Sequence, residues 1–249
     1  MKKILILTAA VFILASCEKE KDKPLAIVVA GSGDITGKLN EFRNLLGTTL
    51  NTTTGHTDGR REINWDGVPD LFATQKLPFD FFNPVIDGSP EGLQRGFLYS
   101  TETDARVSST AFTNLEPANG TEFFSFSGGK TFSAVSSNLW NVEFEVAGQR
   151  VAASVNGFGA VFSDVDDASS TTIEYFAGTR SLGVFSVPVH TTGSHSFLGV
   201  YFPNEKVTRV SIRQGSAVIA TAVKDISVGG TKDLVIMDDF LYDEPIAIP

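Results

Sequence analysis

The chain has 249 residues with 29 acidic and 20 basic side chains, a net charge of −9, and a single cysteine. That acidity repels a phosphate backbone, which sets nucleic acid aside as a partner. Twenty-three glycines, ten prolines and twenty phenylalanines against two methionines favour a β-rich fold with many turns.

The first segment, residues 1–16, opens on Lys2 and Lys3, continues as an apolar run broken only by Thr8, and ends on the small residues Ala15 and Ser16 before Cys17. This is the pattern of a secretory signal peptide, and its apolar run is about half of the roughly 20 residues a membrane span requires. Leu14-Ala15-Ser16-Cys17 resembles the lipobox of bacterial lipoproteins. The resemblance implies cleavage before Cys17, lipid on its thiol, and a membrane as partner through that lipid. The expected location is the cell envelope, at the outer membrane. Residues 17–24 follow as a tether: Glu18, Lys19, Glu20, Lys21, Asp22 and Lys23 alternate in sign up to Pro24 and cannot bury apolar surface. A charged stretch directly after the cysteine also resembles the surface-export signal of Bacteroidetes lipoproteins. Cleavage removes two lysines and no acid, leaving a mature net charge of about −11.

Residues 25–249 read as one domain. The first element, over 25–30, runs into Gly31, Gly33, Gly37 and Lys38 in imitation of a phosphate-binding loop. The glycine spacing is wrong, and Leu39 stands where a magnesium-binding hydroxyl is needed. Ile35, Leu39, Phe42, Leu45 and Leu46 fall at three- and four-residue spacing and predict a helix ending before Gly47. Residues 48–59 read as a loop. Strands are then expected over 60–65, 96–100, 106–112, 139–146, 160–165, 171–176, 182–187, 196–202, 207–213 and 234–242, and the Pro- and Gly-rich stretch 76–92 as a long covering connection. In 207–213, Val210 and Ile212 oppose Arg209, Ser211 and Arg213, the mark of a sheet with one wet face. The expectation is all-β: an antiparallel β-sandwich or jelly roll with one short N-terminal helix.

No constellation for nucleophilic catalysis is present. The sequence lacks a G-x-S-x-G elbow, and lipidation would remove Cys17 from such a role. His190 and His195 sit in a Gly/Ser/Thr-rich stretch and read as exposed loop histidines. Asp164, Asp166 and Asp167 alternate as calcium ligands do, but Ser169 fills the position where an EF-hand needs glycine. A hairpin turn between the strands 160–165 and 171–176, with Asp166 and Asp167 bonding the local backbone, suits them better, with calcium the second reading and no cofactor required. The most distinctive string contains Arg60, Arg61, Glu62 and Asp66. In a strand Arg60, Glu62, Asn64 and Asp66 share one face, with Arg61, Ile63 and Trp65 on the other. Near the other end, Asp238 and Asp239 lie within an apolar strand, and alternation buries one of them. A lone buried carboxylate costs several kcal/mol unless paired. The two strings are therefore expected to be neighbouring strands, with Arg60 or Arg61 paired to the inward aspartate. A calcium ion shared with Glu62 and Asp66 is the alternative.

Residues 59–67 (GRREINWDG), 77–83 (LPFDFFN), Arg95-Gly96, 160–166 (AVFSDVD), 196–200 (SFLGV) and 235–242 (VIMDDFLY) resemble uncharacterised secreted bacterial β-domain proteins, several of which carry PEP-CTERM sorting tails. That resemblance implies a secreted β-domain and supplies no activity. The expected function is a non-catalytic surface module binding glycan or another extracellular ligand. The alternatives are a glycoside hydrolase using two carboxylates and a structural envelope component. An aromatic platform would favour glycan binding; paired carboxylates in a groove would favour hydrolysis.

Overall fold

The computed structural model describes residues 24–100 and 102–248. Cys17, the signal segment and the tether up to Lys23 lie outside the described residues. The elements in chain order are β1 (Ile27–Gly33), α1 (Thr36–Leu46), β2 (Arg60–Ile63), β3 (Phe97–Tyr99), β4 (Ala105–Ser108), a one-turn helix α2 (Asn119–Glu122), β5 (Thr131–Ala134), β6 (Leu139–Phe144), β7 (Ala153–Ser154), β8 (Gly157–Val165), β9 (Thr172–Ala177), β10 (Arg180–Ser186), β11 (His190–Tyr201), β12 (Arg209–Arg213), β13 (Ile236–Asp243) and β14 (Ile246–Ala247). Among the described residues the fold is all-β with one helix of more than a single turn.

The first sheet runs β1-β11-β8-β13-β5-β4, with β2 also on β13; the second runs β10-β9-β12-β6-β3; β14 and β7 form a small ribbon. The inner faces of the two sheets share one core. Phe132 lies 5.1 Å from Trp140, Phe144 lies 5.5 Å from Tyr242, and the Tyr175 hydroxyl donates to the Phe158 carbonyl at 2.8 Å. The outer face of the first sheet is covered by α1, whose Leu39, Phe42 and Leu46 pack with Val161, Phe197 and Leu241. Phe42 sits over Gly159 and Gly199, which face each other across β8 and β11; a Cβ on either would approach its ring within 2.8 Å. Covered on both faces, β8 is buried at every position, so its sequence runs apolar instead of alternating.

Each expected strand has a counterpart, with shifted ends. The strand expected over 106–112 stops at Ser108, whose hydroxyl accepts the amides of Thr110 and Phe112, and Ala111 and Phe112 then take positive φ. The imitation of a phosphate loop is strand instead: Gly31–Gly33 extends β1 against His195–Phe197 of β11. The expected loop histidines are likewise corrected. His190 and His195 belong to β11, and the His195 ring bonds the Phe124 carbonyl at 3.0 Å.

Candidate functional site

The two polar strings pair. β2 runs antiparallel to β13 with Leu241 opposite Glu62 and Phe240 opposite Ile63. Opposed residues point to one side of a sheet, so Glu62 shares the outer face of Leu241, beneath α1, while Ile63 enters the core. At this point β13 changes partners. Met237 is paired with Phe132 of β5, residues 240–243 are paired with β2, and the register against β8 slips between Met237 and Phe240. Asp238 and Asp239 occupy the slip. Alternation predicts one inward and one outward carboxylate; the bulge re-aims the side chains and both are buried, at 1 % and 6 % exposure.

Neither aspartate takes the expected arginine. The Asp238 carboxylate accepts the amides of Phe126 at 2.6 Å and Ser127 at 3.1 Å, and its backbone carbonyl, left without a strand partner, accepts Trp65 Nε1 at 3.1 Å. Asp239 accepts the Ser127 hydroxyl at 2.6 Å. Arg61 turns to the opposite face and meets Glu244 in a bidentate pair at 2.7 and 2.8 Å, with the two side chains 0 % and 2 % exposed. Asn51 and the Thr53 carbonyl complete that pair. Arg60 reaches Glu62 at 2.7 Å and the Gly47 and Thr48 carbonyls behind α1. Asp66 accepts the amides of Gly129 and Lys130, and it does not join Glu62 and an aspartate in a metal-sized group.

What the arrangement creates is a cleft of about 350 Å³, lined by Arg43, Glu62, Asn64, Arg95, Ser127 and Asp239 among others. Arg43, on α1, grips Glu62 with both ends of its guanidinium at 2.9 and 2.8 Å. Arg95 donates to the Glu62 backbone carbonyl. The carboxyls of the cleft are driven in opposite directions. Burial opposes ionisation of Glu62, but the bonds from Arg43 and Arg60 outweigh it and hold the group below its usual range. Burial raises Asp239, assisted by the Glu62 charge and opposed by Ser127. Burial and the Asp239 charge push Asp238 to about 8. Burial and their mutual repulsion therefore keep a proton shared on the Asp238–Asp239 pair at neutral pH.

A second set of carboxyls gathers where β8 ends and β13 begins. Glu122, Asp164 and Asp225 form one group and Asp166, Asp225 and Asp233 another, with one oxygen per residue within 4.8 Å of the others in its group. In the turn expected between 165 and 171, local bonding holds for Asp167, which accepts the Ser169 amide and hydroxyl at 2.8 Å. Asp164 and Asp166 point inward instead, and burial with neighbouring carboxylates pushes them to about 8 and about 6.

Sequence reasoning found Glu62, Asp238 and Asp239 but missed Arg43, Arg95 and Ser127, and in the second set Glu122, Asp225 and Asp233. Arg43 lies on α1 and Ser127 between α2 and β5. Nothing local distinguishes either. No protein-family model and no curated protein matches the chain, so the functional reading rests on the cleft and its chemistry.

Proposed function

We propose that this protein is a carboxylate-dependent hydrolase of glycosidic bonds, with Asp239 as general acid and Glu62 as its anionic partner, carried on a β-sandwich scaffold. The observation that carries the reading is a single cleft holding two carboxyls whose surroundings push their proton affinities apart, the signature by which acid and base roles divide. Glu62 lies opposite Leu241, two residues along β13 from Asp239. Both acids line the same cleft, and glycosidases set their two carboxyls into one such site, roughly 5–9.5 Å apart. Asp239 would give its proton to the leaving oxygen. Glu62, kept ionised by Arg43 and Arg60, would act on the anomeric side as base or nucleophile while water supplies the new hydroxyl. Asn51, Asn64 and Arg95 line the same cleft and offer donors for a hydroxyl-rich substrate. A non-catalytic glycan platform relies on stacking against aromatic faces, and none of the cleft's lining residues is aromatic.

We also propose that the enzyme is exported and held at the cell envelope by lipid on Cys17; residues 1–24 support this. Kinship with secreted β-domain proteins, suggested by the strings above, is in keeping with export.

The test is release of reducing ends by the full chain from a panel of polysaccharides and aryl glycosides. Turnover is expected on at least one substrate, falling on the order of 10²–10⁴-fold in Glu62→Gln and Asp239→Asn while both variants remain folded. Unchanged turnover in both variants overturns the reading. So does saturable glycan binding by the wild type without turnover, which selects the binding module instead.

A further inference from the structure

The second carboxyl set stands apart from the proposed cleft and has no part in its chemistry. It draws on four stretches of chain: Glu122 on α2, Asp164 and Asp166 at the end of β8, Asp225 in a turn, and Asp233 just before β13. Two of the five are fixed by the surrounding backbone. Asp225 accepts the amides of Ser227 at 2.7 Å and Leu234 at 2.6 Å, and Asp233 accepts those of Asp166 at 3.2 Å and Asp167 at 3.0 Å. These bonds orient one carboxylate toward the next.

Asp164 is different. Its side chain is 0 % exposed, yet neither of its oxygens has a hydrogen-bond partner, and one oxygen of Asp166 is likewise unpartnered. Asp164 also holds a left-handed backbone at φ 66°, a conformation uncommon for residues other than glycine. Buried carboxylate oxygens are almost always bonded, because leaving them dry and unpaired is costly. Among the described residues, no ion pair with lysine or arginine involves Asp164, Asp166, Asp225 or Asp233. Four aspartates drawn together, aimed at one another and with no lysine or arginine paired to them among the described residues call for a cation.

We infer that Glu122, Asp164 and Asp225 bind Ca²⁺, with Asp166 and Asp233 extending the site through the shared Asp225. The donors are all carboxylate oxygens, the hard ligands calcium takes in sets of six to eight; magnesium instead prefers few carboxylates and keeps its water. The ion would tie α2 and the irregular stretch 214–233 to β8 and β13. Beside it, Phe112, Phe123, Ile219, Leu234 and Ile236 form a separate small cluster, so few apolar contacts compete with the ion for that role.

The experiment uses the full chain, stripped with EDTA and titrated with CaCl₂ by calorimetry, followed by thermal melting with calcium, magnesium or EDTA. Saturable calcium binding is expected, with the melting temperature rising about 5–10 °C at calcium on the order of 100-fold above Kd. Asp164→Asn, which suits the left-handed backbone, should abolish the rise. In EDTA it should melt no lower than the wild type, since an amide in place of the unpartnered Asp164 carboxyl can donate to its acidic neighbours. Asp166→Asn provides the same comparison should Asp164→Asn not fold. Absence of calcium binding by the wild type, an equal shift with magnesium, or a full calcium shift in whichever variant folds would each overturn the assignment.

Discussion

Asp238 shows how one side chain's surroundings fix its protonation. It sits in the slip of β13 with two backbone amides on one oxygen and Asp239 as neighbour. Because burial raises it to about 8 from an ordinary value of 3.8, the folded protein binds a proton that the unfolded chain has released over that interval. Stability contributed at Asp238 is therefore greatest below the ordinary value and declines as pH rises toward 8, by up to about 1.4 kcal/mol per pH unit. Asn at 238 keeps the acceptor for Phe126 and Ser127 and offers Asp239 a permanent donor. Asp238→Asn should accordingly melt at or above the wild type at pH 8, and its fall in melting temperature between pH 5 and pH 8 should be smaller. A variant that melts several degrees lower at pH 8 with an unchanged pH dependence would mean that Asp238 is ionised in the folded protein.

At the scale of elements, α1 places Arg43 over Glu62 and is itself seated by Phe42 on the Gly159–Gly199 pair. Phe42→Ala leaves that seat empty and should cost about 3–5 kcal/mol in denaturant unfolding; a loss below about 1 kcal/mol would show that the helix is not docked through this ring. The helix was legible because its apolar spacing is uninterrupted over three turns, and the longer strands because turn residues bracket them. β5 (Thr131–Ala134) was not, since four residues after Gly-Gly-Lys carry too little pattern to count. The pairing of β2 with β13 was legible from two polar strings that each needed a partner. The partners themselves were not: counting alternate residues assumes a regular strand, and the slip between Met237 and Phe240 breaks the count at the two aspartates. Asp164 and Asp166 stood out in the sequence, but their companions Asp225 and Asp233 lie some 60 residues further on, beyond any local spacing rule.

For the whole molecule, the two carboxyl clusters divide the work that a net charge of −9 makes costly to arrange. In the cleft, Arg43 and Arg60 offset the charge of Glu62, and a proton shared by Asp238 and Asp239 removes one of that pair's two charges. At the far end of β8 no lysine or arginine among the described residues pairs with Asp164, Asp166, Asp225 or Asp233, and a cation takes that place. The first arrangement leaves an acid and a base facing one cleft; the second fastens irregular chain to the first sheet. The first is the proposed active site. Its most direct measurement is the pH dependence of kcat/KM on whichever glycoside the full chain cleaves, for the wild type, Glu62→Gln and Asp239→Asn. The wild type should give a bell whose acid limb lies below the usual carboxylate range, because Glu62 is lowered, and whose alkaline limb lies above it, because Asp239 is raised. Glu62→Gln should erase the acid limb and Asp239→Asn the alkaline one. Limbs that stay in place in both variants would contradict the assignment of the pair.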